Sequence, residues 1–296
     1  MASIERSYVI DLAVRDFLPA VDAYRTILGI EGVRMLREQD PSGELDAFHF
    51  PVGGLNALGI MTYTGEIGPD TENHMGVYLR DHGDGIHILG NLVDDVDQLV
   101  RELPERGFPV ATPEPVPYAD GRLIFAEPVH QTLFEFATHH SDAVTALWRG
   151  RAEQATERRI VRADRCDIAV RDLGAATKAF SNFLQIDPVD RADALGEGEG
   201  VVGVDFPVGG LRAYGLVSLE GESSGPYGRV IGSFLDRHGD GAVLMGFEVD
   251  DLGRRQRELE ELGYRFEYDQ PPSSAVGRSN LISAVYGVAL EFTERA

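Results

Sequence analysis

The sequence predicts an α+β fold built twice in tandem, and three observations carry that expectation. Short motifs recur at one constant offset, each repeat alternates strand-like and helix-like stretches in the same order, and the composition is that of a chain able to bury a core. Asp11-Leu12-Ala13-Val14-Arg15-Asp16 returns as Asp167-Ile168-Ala169-Val170-Arg171-Asp172, a separation of 156 residues. Phe50-Pro51-Val52-Gly53-Gly54 and His82-Gly83-Asp84-Gly85 return at the same offset, as Phe206-Pro207-Val208-Gly209-Gly210 and His238-Gly239-Asp240-Gly241. One gapless offset from first strand to last means duplication of a whole domain.

Within the first repeat, residues 8–14 alternate as a strand, and residues 17–28 carry apolar side chains at helical spacing, with Asp16 placed to cap the start and Gly29 the end. Strands are expected at 33–38, 47–51 and 55–63. A short helix near 74–81 restarts the pattern, with strand 86–93, helix 96–106, and strands 109–111, 122–126 and 132–137. The second repeat follows the same order. The expected division is a first domain over 1–140, a helical linker over 141–160 that includes Trp148, and a second domain over 161–296.

Composition excludes several classes of function. The 296 residues carry 49 Asp plus Glu against 27 Lys plus Arg, a formal charge of −22, which repels phosphate backbones and anionic lipid. Nucleic acid and membrane are not expected partners. No apolar run approaches the roughly 18 residues of a membrane span, and the first residues lack a signal-peptide pattern, so a cytoplasmic location is expected. The single cysteine, Cys166, reads as a buried structural thiol.

The strand-to-helix junctions Arg15-Asp16-Phe17 and Arg171-Asp172-Leu173, and the stretches HGDGIHILGNLVDD from His82 and HGDGAVLMGFEVDD from His238, resemble the vicinal-oxygen-chelate superfamily, which includes glyoxalases, bleomycin-resistance proteins and extradiol dioxygenases. The similarity extends to its hydroxyphenylpyruvate dioxygenase and methylmalonyl-CoA epimerase branches. It implies two βαβββ modules per domain, closing into an eight-stranded cup around a small-molecule site. It also implies metal ligands near the start of each module's first strand and a Glu on the last strand. Glu135 and Glu291 match that Glu, whereas the other ligand positions fall on Val9 and Ile88 in the first half and on Arg165 and Leu244 in the second.

The first half keeps neighbours able to replace the missing imidazoles. Asp11 shares the strand face of Val9, whereas strict alternation turns His87 away from the cup unless a bulge re-aims it. Asp11, His87 and Glu135 are therefore the candidate catalytic residues, and the same three are the candidate ligands of one divalent ion (Fe, Mn, Co or Zn). Arg122 at the rim, Leu58, Ile88 and Val9 are the candidate substrate contacts. The resemblance implies an enzyme of dioxygenase, isomerase or lyase type acting on a small oxygenated or aromatic molecule in the first cup, with self-association left open. The alternative is a non-catalytic binding protein of the bleomycin-resistance kind, with Tyr214 and Leu244 among its apolar lining.

Overall fold

The computed structural model describes residues 2–35, 44–118, 121–138, 160–191, 198–221, 223, 225–274 and 277–296. The expected linker, but for Ile160, lies outside the described residues. The first half runs β1 (Ile4–Ala13), α1 (Phe17–Leu28), β2 (Val33–Met35), β3 (Leu45–Phe50), β4 (Ala57–Tyr63), α2 (His74–Asp81), β5 (Gly85–Val93), α3 (Val96–Glu105), β6 (Val116–Tyr118), β7 (Gly121–Phe125) and β8 (Leu133–Thr138). The second runs β9 (Arg162–Ala169), α4 (Leu173–Leu184), β10 (Val189–Asp190), β11 (Val201–Phe206), β12 (Ala213–Leu219), α5 (Pro226–His238), β13 (Gly241–Glu248), α6 (Leu252–Glu261), β14 (Ser273–Ser274), β15 (Gly277–Val285) and β16 (Val288–Arg295).

Each half folds into one curled eight-stranded sheet, ordered β2-β3-β4-β1-β5-β8-β7-β6 and, in the repeat, β10-β11-β12-β9-β13-β16-β15-β14. In every βαβββ module the first strand pairs in parallel with the last, β1 with β4 and β5 with β8. The two first strands, β1 and β5, meet antiparallel at the centre. That crossing brings β1, β5 and β8 side by side, so their inward side chains share one concavity.

Helices α1, α3, α4 and α6 cover the convex faces, while α2 and α5 pack on the concave side. Ile10 and Leu12 of β1, Phe17, Tyr24 and Leu28 of α1, and Phe134 and Phe136 of β8 join Ile168, Phe180, Phe183 and Phe206 of the second half in one continuous core. The helix starting at Phe17 ends where expected, on Gly29 in the left-handed region (φ 66°), but Asp16 makes no side-chain capping bond. Its counterpart Asp172 does, accepting from the Ala175 N–H. The strand expected at 109–111 is only a single bridge from Val110 to Ala126, and the eighth strand is β6 instead. Pro109 has no N–H to give a ladder, whereas Pro117 sits on the edge strand β6, where none is needed.

The repeated motifs are joined in space. Asp84 of the His-Gly-Asp-Gly turn accepts from the Arg15 N–H at 2.9 Å, and Asp240 accepts from the Arg171 N–H at 3.0 Å, so each turn clamps the start of a first-strand crossover. The Gly pairs make the contact between halves. Ser7 N–H donates to Gly209 O and Ala163 N–H to Gly53 O, both at 2.7 Å. Gly54 and Gly210 have φ of 87° and 86°, and a Cβ on Gly54 would come 2.6 Å from the Gly210 carbonyl oxygen.

Candidate functional site

Alternation along β1 divides its side chains between the convex core and the cup. Ile10 and Leu12 enter the core, while Val9 packs with Ala57, Leu123 and Ala137 on the concave side, and Ala13 does so with Ala47, Met61 and Met75. Asp11, between Val9 and Ala13, faces the same concavity. It is paired with Gly59 on β4 and Ile88 on β5. A Cβ at Gly59 would overlap the Asp11 carboxylate, so this glycine makes the room that Asp11 occupies.

The carboxylate of Asp11 is buried, its Oδ1 makes no hydrogen bond, and His49 Nε2 lies 3.8 Å from it. Burial pushes the Asp11 carboxyl up to about 7. Glu135 on β8 is buried as well, and burial pushes it up to about 8. Its Oε1 accepts a hydrogen bond from the Tyr8 hydroxyl. Two protonatable carboxyls therefore share one apolar cup.

Two bulges supply the remaining polar groups. Ser7 and Val9 pair with Asn91 and Gly90, leaving Tyr8 as an extra residue, and Asp11 and Leu12 pair with Ile88 and Ile86, leaving His87 extra. An extra residue breaks the period of two and turns its side chain to the other face. His87 is buried with its ring 4.5 Å from that of Tyr78, and its Nε2 lies 2.9 Å from His74 Nδ1. Its Nδ1 makes no hydrogen bond. Burial, followed by the neighbouring His74 and His82, holds the His87 imidazole well below its ordinary value, so it is neutral.

Asp11, His87 and Glu135 each have a different neighbour, respectively His49, His74 and Tyr8. Among the described residues, no three His, Cys, Asp or Glu side chains form a set that would hold a metal ion. Two of the three ligand positions that the superfamily resemblance implies are the hydrocarbons Val9 and Ile88, and the third, Glu135, is engaged by Tyr8. These donors do not fit the ion expected from the resemblance.

The candidate substrate contacts divide. Val9 lines the cup, and Ile88 precedes the core residue Leu89, which sets Ile88 on the concave side. Leu58 instead belongs to the convex core, because Ala57 and Gly59 on either side of it face the cup. Arg122 is on the surface and holds both oxygens of Asp97, at 2.7 and 2.5 Å, so it is an external ion pair and not a rim clamp. Tyr214 also leaves the lining: its hydroxyl donates to the Asn91 side-chain oxygen and lies within hydrogen-bond distance of the Ser7 hydroxyl, between the two halves. Leu244 lies in the apolar cluster of the second cup.

The second cup keeps the same bulges, at Asp164 and Val243, but is filled by ion pairs. Arg165 stands at the place of Val9, Asp205 at that of His49 and Arg191 at that of Met35. Arg165 bonds Asp167 and Asp205, each at 2.9 Å, and Arg191 holds both oxygens of Asp167 at 2.9 Å. Tyr227 donates a further bond to Asp167 at 2.5 Å. Burial alone would raise the Asp167 carboxyl, but the charges of Arg165 and Arg191 with the bonds from Arg191 and Tyr227 hold it below its usual range. Glu291 accepts from the Thr293 hydroxyl at 3.1 Å.

His49, Tyr8 and His74 join the candidate site through the structure alone. His49 was within reach: Phe48 and Phe50 pack on the convex core, so period two sends His49 to the cup. Tyr8 is hidden by its bulge, and His74 meets His87 only through the packing of α2.

Comparison with known proteins follows the same outline. The profile described as Glyoxalase/Bleomycin resistance protein/Dioxygenase superfamily matches residues 10–125. Among solved structures, a mutant 4-hydroxymandelate synthase from Streptomyces coelicolor is similar over 100% of this chain and 93% of its own, with a TM-score of 0.72 and 16% identity. A Mn(II)-bound glyoxalase from Novosphingobium aromaticivorans is similar over 99% and 83%, with a TM-score of 0.59 and 13% identity. Methylmalonyl-CoA epimerase from Mycobacterium tuberculosis is 29% identical over 47% of this chain and 90% of its own, with a TM-score of 0.40. A search of the curated proteins finds no match. No helix among the described residues is long and apolar enough to cross a membrane. Residues 10–125 thus match the profile of the Glyoxalase/Bleomycin resistance protein/Dioxygenase superfamily, and the second half repeats the sheet order of the first.

Proposed function

We propose that the first cup is the active site of an enzyme that moves protons on a small oxygenated or aromatic molecule, by isomerisation or a lyase step, and that the domains span 1–140 and 161–296 with a linker between. The observation that carries this reading is the contrast at one repeat position. Asp11 is buried with an oxygen that bonds nothing, while Asp167 is saturated by two guanidinium groups and a phenol. An unmade bond on a buried carboxyl costs stability, and a ligand that makes it repays that cost.

The chemistry follows from the two carboxyls. A group titrating near 7 is suited to take a proton from carbon next to a carbonyl, and one titrating near 8 is suited to give a proton to the oxygen where charge develops. Asp11 is the base and Glu135, oriented by the Tyr8 hydroxyl, the acid. The apolar wall of Val9, Ile88 and Leu123 excludes water and strengthens both interactions. No step is routed through a metal, since the donors do not fit one.

The test is isotope wash-in. The protein is incubated in D2O with a panel of small 2-oxo acids, hydroxyketones and aromatic carbonyl compounds, and loss of C–H signal is followed by NMR. Exchange is expected with at least one compound, reduced ~100-fold or more by Asp11→Asn and less by Glu135→Gln. Its rate should peak between about pH 7 and 8, where Asp11 is ionised and Glu135 is not. Exchange with none of them, or a rate that Asp11→Asn leaves unchanged, overturns the assignment. The hydrocarbons at two expected ligand positions favour a second reading, non-catalytic capture of an apolar ligand. Tight binding of an aromatic compound without turnover would select it.

A further inference from the structure

We propose that His74 and His87 form a proton relay between bulk water and the closed first cup, with His74 Nδ1 and His87 Nε2 as the internal link and His87 Nδ1 as the atom that faces the substrate. The proposal rests on the reading of this cup as an active site, gives His87 a definite role in it and adds His74. His74 is solvent-exposed at the first position of α2, whereas His87 is buried on the bulged strand β5. The two rings are 2.9 Å apart, nitrogen to nitrogen, and stack at 5.2 Å between centroids. Phe125 packs on His74 and Tyr78 on His87, and the Tyr78 hydroxyl donates to Ile86 O and leaves His87 alone. An exposed imidazole bonded to a buried one, whose far nitrogen makes no bond, is a path from water with its inner end open.

The transfer balances. His74, charged by a proton taken from water, gives its Nδ1 proton to the Nε2 lone pair of His87 as the His87 Nδ1–H bond breaks toward a substrate oxygen. His74 ends neutral, His87 stays neutral as the other tautomer, and one positive charge has passed to the substrate. Release of a proton from the cup runs the same steps backward. His87 is the contact residue and His74 acts through it.

The test uses the protein alone, labelled with 15N in its histidine rings. A through-hydrogen-bond coupling between the two rings is expected, together with exchange of the His87 ring proton with water that slows at least tenfold in His74→Phe and in His74→Gln. Glutamine keeps a hydrogen-bond donor but cannot relay. Asn73 caps α2 through the Met75 and Gly76 N–H groups, so the helix start does not depend on His74. No coupling in the wild type, a wild-type rate as slow as the variants, or variant rates equal to the wild type would each overturn the relay. Because no substrate is used, failed isotope wash-in with a working relay counts against the active-site reading alone, and the reverse result counts against the relay alone.

Discussion

Asp11 and Asp167 occupy one position of the repeat and respond to pH in opposite directions. The Asp11 carboxyl is raised in the folded chain, from 3.8 to about 7, and Glu135 from 4.5 to about 8. Below pH ~4 both states hold these protons. As pH rises toward the folded-state values the unfolded chain ionises first, so the favourable contribution present in acid is lost between about pH 4 and 8. Asp11→Asn is expected to be about 1–3 kcal/mol more stable than wild type at pH 8 in urea unfolding, with the gain vanishing near pH 4. Asp167 is lowered, so its contribution is present above the ordinary Asp value and disappears as pH falls through the folded one. Asp167→Asn strips a buried partner from two guanidinium groups and should cost about 3–5 kcal/mol at neutral pH. A variant no less stable than wild type would show the network to be dispensable.

At the scale of elements, the site is a property of strand pairing. Gly59 on β4 leaves the space that the Asp11 carboxylate fills, with the ring of His49 on its other side. Gly59→Ala should displace Asp11, cutting isotope exchange at least tenfold while costing only about 1–3 kcal/mol of stability. Exchange at the wild-type rate would show that Asp11 tolerates displacement. The bulges at Tyr8 and His87 recur at Asp164 and Val243, so they belong to the shared backbone, and only the side chains mounted on them differ. One frame thus holds a phenol and an imidazole in one cup, and an ion-paired carboxylate and a hydrocarbon in the other.

For the whole molecule, the two halves share a core and interlock through backbone. Phe134 meets Phe180 and Phe183 edge-on across the halves, the Tyr24 hydroxyl reaches the Val285 carbonyl, and the His130 and Asp240 side chains pair at 2.6 Å. A single cooperative transition is expected in calorimetry. Gly210→Val places a branched side chain at φ 86° against the Ser7 carbonyl and should lower the transition temperature and split the transition in two. One unshifted transition would show that the crossing of the Gly loops does not couple the halves.

The amino-acid order by itself determined the duplication, the α+β class, the helices at 17–28 and 74–81 and the inward face of Asp11, because these follow from a fixed offset and from periods of 3.6 and 2 that local chemistry imposes. Leu58 was misplaced by that same local chemistry, since an apolar residue on a strand buried on both faces carries no mark of which face it takes. Only the tertiary structure decided that Arg122 pairs outward with Asp97, that Arg165 and Arg191 fill the second cup, and that Tyr8 and His87 turn into the first. A bulge is one residue of mismatch between two strands, and neither strand's sequence states it, since register belongs to the pair.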